Sequence, residues 1–170
     1  MPDVFTKAKR SDVMSRIRSR GNKDTELALM RVFRVQGITG WRRQITLVIR
    51  SSRREEAHSE IPLTASRAKK SVKASLPRLL RVRTDFVFPK LRLAVFVDGC
   101  FWHGCPQHAT QPRNNAAFWR RKFAANQSRD RLVTRTLRKD GWRVLRIWEH
   151  ELARKREARL VVRLRRFLGA

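Results

Sequence analysis

Three features predict an α/β domain with a mixed central sheet. They are an unbroken apolar run from Leu93 to Val97, two amphipathic segments that close on glycine, and the order helix, strands, helix, strand, helix along the chain. The first helix is expected from Asp24 to Gln36, with apolar residues at Leu27, Met30, Val32 and Phe33, Asp24 or Thr25 as N-cap, and Gly37 as the stop. Residues 85–98 read as two adjacent core strands, Asp-Phe-Val-Phe and Leu-Arg-Leu-Ala-Val-Phe-Val-Asp, joined by a Pro-Lys turn. The second is apolar at successive positions, as a strand buried on both faces must be. A second helix runs from Arg129 to Lys139 on Leu132, Val133 and Leu137 and ends before Gly141. Trp142–Trp148 is the next strand, by its β-branched and aromatic content around Arg143 and Arg146. A closing helix carries Leu160, Val161, Leu164, Phe167 and Leu168 as one stripe.

With 170 residues the chain has the size of a single domain, 1–170, able to bury roughly 70% of its unfolded surface. Lys and Arg number 41 against 14 Asp and Glu, and the net charge of +27 calls for a polyanionic partner, nucleic acid or an anionic membrane surface. Of those cations 31 are Arg, the side chain suited to bidentate phosphate contacts. The apolar run at 93–97 is far short of the roughly 20 residues that span a bilayer. Near the N-terminus, Asp3, Lys7, Lys9 and Arg10 are followed by no apolar h-region, so a cytoplasmic, nucleoid-associated location is expected. One stretch fits the sheet poorly. No Phe, Trp or Tyr lies between Trp41 and Phe86, and from Arg50 to Arg83 ten basic residues face three acidic ones. Residues 46–82 are therefore read as a flexible or weakly helical surface insertion, too poor in apolar groups to offset the entropy of ordering.

Chemistry concentrates in Phe96 to His108, directly after the buried strand. Cys100, Cys105 and His108 give C-x4-C-x2-H, and His150 could complete a tetrahedral Cys2His2 zinc site. The spacing fits equally well a pair of buried free thiols beside two surface histidines. His103 is either a further ligand or a general base held by the loop. Asp85 and Asp98 are rare acids in a basic chain and suit a magnesium ion that bridges to phosphate, or else they cap strand ends and pair with arginine. Phe101, Trp102 and Trp119 could stack on or wedge between bases, or pack over the loop. Asp130 reads as a first-turn carboxylate that favours the dipole of the second helix.

These motifs resemble the very-short-patch repair DNA mismatch endonucleases, bacterial relatives of the PD-(D/E)-x-K restriction-enzyme fold. The likeness is carried by Ser11-Asp12-Val13-Met14-Ser15-Arg16-Ile17, Asn22-Lys23-Asp24-Thr25-Glu26, Asp85-Phe86-Val87-Phe88 and Phe96 to His108. It continues through Asn115 to Trp119, Asn126 to Arg131 and Gly141 to Leu152, about two thirds of the chain in all. The resemblance implies a restriction-endonuclease-like three-layer fold with a structural zinc at Cys100, Cys105, His108 and His150. It implies magnesium at Asp85 and the Val97 carbonyl, and His103 as the base that activates water. Asp130 would support the site by hydrogen bonding, and Glu26 would lie near the metals. Asp98 stands where some members carry a catalytic histidine and would assist metal or water. Phe101, Trp102 and Trp119 match an aromatic wedge beside the mismatch.

The resemblance thus points to a monomeric, magnesium-dependent enzyme that nicks one strand near a T:G mismatch in double-stranded DNA and hands over to mismatch-repair proteins. One departure stands out. Family members join Trp41-Arg42-Arg43 to the metal aspartate by a short segment ending Gly-x-Pro-Asp, whereas here about forty residues intervene and the aspartate follows Val82-Arg83-Thr84. Two readings from other classes follow. One is a zinc-stabilised DNA-binding protein that has lost cleavage because the insertion displaces Asp85. The other is a basic RNA-binding protein, in which Asp85, Asp98 and His103 share no task.

Overall fold

The computed structural model describes residues 25–51, 78–112 and 114–169. Along them the chain forms α1 (Glu26–Val35), β1 (Arg42–Arg43), β2 (Thr46–Ser51), β3 (Arg78–Arg83), β4 (Phe86–Phe88), β5 (Leu93–Asp98), α2 (Ala116–Lys139), β6 (Arg143–Trp148) and α3 (Glu157–Leu168). The main sheet has the order β1-β4-β5-β6, with β5 antiparallel to β4 and parallel to β6. A parallel pair needs a crossover, and residues 99–142, with α2, supply it.

The apolar run in β5 follows from two cores, one on each face. Leu93 and Val95 join Phe86, Phe88, Leu145 and Ile147 beneath Leu29, Val32 and Phe33 of α1 and Leu160 and Leu164 of α3. Ala94 and Phe96 point the other way. They meet Val144, Leu137 of α2, and Ile49 and Val82 of the β2–β3 hairpin. The result is a three-layer α/β arrangement with a mixed sheet, consistent with the restriction-endonuclease-like fold.

β1–β4 and β2–β3 form separate ladders that share one register. Arg42 faces Val87, Arg43 faces Phe86, and beyond the break Thr46 faces Arg83. Across the break the Gln44 N–H donates to the Asp85 carbonyl and the Thr84 N–H to the Ile45 carbonyl, each at 3.0 Å. The strand therefore bends at Gln44, whose φ is 53°, without slipping. The bend lays Leu47, Ile49, Leu80 and Val82 over the second core.

Several expectations change. The stretch from 46 to 82 is strand at both ends, because Leu47 and Ile49 alternate against Leu80 and Val82 and find an apolar surface to cover. Residues 52–77 lie outside the described residues, as do Asp24 and the N-terminal motifs from Val4 to Lys23. The second helix starts at Ala116 instead of Arg129, which puts Trp119 in its first turn and Asp130 in its interior, not at its head. In α1, Leu29 is the fully buried leucine and Leu27 is half-buried. Among the described residues no helix is long and apolar enough to cross a membrane.

Candidate active site

Antiparallel pairing sets the start of β4 against the end of β5, so Asp85 and Asp98 meet at one end of the sheet. The Val97 N–H donates to Asp85 Oδ2 at 2.7 Å. Burial pushes the Asp85 carboxyl up to about 6; the Val97 N–H opposes this, and the charges of Glu26 and Asp98 add to it. Glu26, buried at the first turn of α1, accepts from Gln44 Nε2 at 2.7 Å and Arg43 Nη2 at 3.3 Å. Gln44 in turn accepts from Arg83. The bend in the hairpin thus ties the α1 glutamate to the strand that carries Asp85.

Beside Asp85 lies a chain of alternating charge. Arg146, on the inner face of β6, donates through Nε to Asp98 Oδ2 at 2.7 Å and through Nη2 to Asp98 Oδ1 at 2.5 Å. The same Nη2 lies 2.8 Å from Asp130 Oδ1, and the other oxygen of Asp130 is 2.6 Å from His103 Nδ1. Burial works to lower the His103 imidazole, but the bond to Asp130 and the charges of Asp98 and Asp130 outweigh it and hold the imidazole above its ordinary value. Burial likewise works to raise Asp130, and His103 and Arg146 together hold it below the usual carboxylate range. The charges of Asp98 and Arg146 act on both Asp85 and His103.

The loop after β5 presents His103. Its turns close through His103 N–H to the Gly99 carbonyl at 3.1 Å and Cys105 N–H to the Cys100 carbonyl at 2.9 Å. Gly104 adopts φ 63°, a conformation that favours glycine, and a Cβ there would oblige the end of the Gln127 side chain, 2.6 Å away, to move aside. Asn126 Nδ2 donates to the Trp102 carbonyl at 2.7 Å, and Glu149 Oε2 accepts from the Cys100 N–H at 2.9 Å. The loop is thereby fixed to α2 on one side and to the turn after β6 on the other. Cys100, Cys105, His108 and His150 converge, each offering a ligand atom within 4.8 Å of the others, a group able to hold one metal ion. Burial pushes the Cys100 thiol up, and burial together with the charges of His108 and Arg156 holds the His150 imidazole down.

The aromatic residues named from sequence gather beside this loop. Phe101 packs edge-on against Trp102 and Trp119 at centroid distances of 5.2 and 5.1 Å. Phe123 joins them at 5.4 Å from Phe101, and Phe118, 51% exposed, packs edge-on against Trp119. These two and Arg146 were not among the residues singled out from sequence. Arg146 did leave a signal there, since it is the charge that interrupts Val144-Leu145-Arg146-Ile147 on a strand that otherwise reads as buried. Every site residue expected from sequence therefore falls in one of three adjoining groups: Asp85, Val97 and Glu26; Asp98, His103 and Asp130; or the Cys/His loop with its aromatic neighbours.

Comparison with known proteins finds similarity to DNA endonucleases. A family model described as DNA mismatch endonuclease Vsr matches residues 77–109. The type II nicking enzyme V.NaeI of Lentzea aerocolonigenes is 51% identical over 72 residues, 42% of this chain and 43% of that enzyme. The DNA mismatch endonuclease Vsr of Escherichia coli K12 is 41% identical over 77 residues, 45% of this chain and 47% of that enzyme. These two matches span about half the length of the relatives concerned. The type II nicking enzyme V.NmeAIP of Neisseria meningitidis serogroup A is 30% identical over 156 residues, covering 91% of this chain and 87% of that enzyme. On that likeness over most of both lengths, and on the family match across the strand and loop of the site, the chain belongs to the Vsr family of DNA mismatch endonucleases.

Proposed function

We propose that the chain is a strand-nicking DNA endonuclease that cuts one strand beside a T:G mismatch, using magnesium at the active site and zinc in the loop. The observation that carries this reading is the His103–Asp130 pair, linked through Arg146 to Asp98 at the end of the sheet where Asp85 precedes β4. Asp85 and the Val97 carbonyl would hold magnesium, with Glu26 nearby. A carboxyl raised by burial and by neighbouring acids, with one backbone N–H as its partner, gains from a bound cation. Bound there, magnesium would neutralise charge on the scissile phosphate and lower the pKa of water. Asp130 fixes His103 through Nδ1 and leaves Nε2 to take the proton of the attacking water. Asp98 acts by positioning, with both oxygens held by Arg146.

For the loop, ideal tetrahedral zinc with ordinary ligand lengths sets sulfur and nitrogen ligands about 3.5 Å apart. Cys100 Sγ and Cys105 Sγ lie 3.2 and 3.5 Å from His150 Nδ1, and Cys105 Sγ lies 3.8 Å from His108 Nδ1. The donor set fits zinc. Phe101, Trp102 and Trp119 would wedge beside the mismatch, where a weak pair lowers the cost of unstacking, and the +27 charge supplies affinity for duplex DNA independent of sequence. Cleavage is favoured over binding alone by the continuous hairpin register, which keeps Asp85 against Val97 despite the long segment before it.

The test is nicking of a T:G duplex and of its matched counterpart with magnesium, by the parent chain, His103→Ala and Asp85→Ala. Selective single-strand cuts by the parent, lost in both variants, support the reading. Salt-sensitive binding without a product strand would favour the non-cleaving binder, and preference for structured RNA would overturn both.

A further inference from the structure

Asp98, His103 and Asp130 each offer a ligand atom within 4.8 Å of the others, close enough to hold a divalent cation. A cation of another kind already fills the group. Arg146 donates to both oxygens of Asp98 and lies 2.8 Å from Asp130 Oδ1; the remaining carboxylate oxygen, Asp130 Oδ2, is engaged by His103. Its guanidinium also lies 5.1 Å from the Phe96 ring centroid, and its carbonyl accepts from Arg163 Nη2 at 2.5 Å. Arginine does not shed its charge, and its planar fork matches two carboxylate oxygens at once, so a metal ion entering here would have to displace a held charge.

We propose that Arg146 is the resident cation of the Asp98–His103–Asp130 group: it occupies the place a divalent metal would take, and thereby reserves His103 for proton transfer and leaves the metal to the Asp85 side. Arg146 is a positioning residue, acting on His103 through Asp130. The proposal rests on the reading of His103 as a base, but its central claim concerns where metal can bind and is measurable without cleavage.

The experiment counts Mn2+ bound to the zinc-loaded protein by electron paramagnetic resonance, without DNA. Arg146→Met, which keeps the stem and removes the charge, is expected to bind one more equivalent than the parent, and the added His103→Ala change is expected to abolish that extra equivalent. Asp98→Asn in the parent background is expected to leave the number of bound Mn2+ equivalents unchanged, because Asp98 holds arginine and no metal. In nicking assays Arg146→Met should lower kcat about 10- to 100-fold with KM for duplex within twofold, and Arg146→Lys, which keeps charge but loses the fork, should recover part of kcat without gaining Mn2+. An unchanged count in folded Arg146→Met, or loss of bound Mn2+ in Asp98→Asn, would overturn the proposal. Should Arg146→Met not fold, the Asp98→Asn count still decides. Absence of nicking by the parent chain would instead count against the proposed activity and leave the metal count readable.

Discussion

His103 Nδ1 lies 2.6 Å from Asp130 Oδ2, a bond between a loop and the middle of a helix 27 positions further along the chain. It leaves the other ring nitrogen as the one able to accept a proton. Asp130→Asn preserves the shape but replaces a charged acceptor with an amide that can stabilise the wrong tautomer. Its kcat is expected to fall about 10²- to 10⁴-fold with little change in KM, measured by single-turnover nicking of a mismatched duplex. Parent-like turnover in this variant would remove the pair from the chemistry.

Asp85 carries a cost that pH exposes. Its carboxyl rises from 3.8 to about 6 on burial, so the folded chain binds this proton more tightly than the unfolded chain. The penalty for ionising it is absent below about pH 4, grows up to about pH 6 and is complete above that. A shift of about two units corresponds to a ceiling of roughly 3 kcal/mol. Asp85→Asn is accordingly expected to melt higher than the parent near pH 8 and equally near pH 4, without added divalent cation. Magnesium should then raise the melting point of the parent and not of the variant. Identical melting of the two at both pH values would contradict this account.

Removing a loop ligand should release metal and base together. Cys105 is 2% exposed, and its N–H closes the turn onto the Cys100 carbonyl. Cys105→Ser is expected to lose the bound zinc, seen by metal analysis, to melt at lower temperature, and to nick more slowly because His103 is no longer held. Full zinc content in the serine variant would show that the four residues do not form the site.

The hairpin arm belongs to the core. Ile49 is 2% exposed and Val48, its neighbour on the same strand, is 54% exposed. Ile49→Ala is expected to cost about 2–5 kcal/mol in denaturant unfolding with an unchanged slope, while Val48→Ala should stay within about 0.5 kcal/mol of the parent. Equal, small effects would mean that the arm does not pack as described.

What the sequence made legible follows from where apolar side chains face. Strands β5 and β6 and the closing helix were readable because burial on both faces, or along one stripe, leaves an unbroken or periodic apolar signal. The first half of α2 left none: Trp119 and Phe123 pack on the loop aromatics and Phe118 is half exposed, so no aliphatic stripe marks the helix. The ends of the long segment before Asp85 were hidden by composition. Ten basic residues mask the alternation of Leu47 with Ile49 and of Leu80 with Val82, which only a distant surface makes favourable. The residues of the site were visible as types, but the link between them was not. Asp130 and Arg146 meet across a crossover, and a local pattern carries no information about such a meeting.

The pairing from Arg42–Val87 out to Ser51–Arg78 keeps one register through the bend at Gln44 and sets six residue pairs between the Asp85 end and the last rung. Each rung is fixed by the one beneath it, so additions or deletions past the last rung leave Asp85 unmoved. Length can therefore vary beyond the last rung at little cost to the place of Asp85, because a loop's closing entropy grows only slowly with its length.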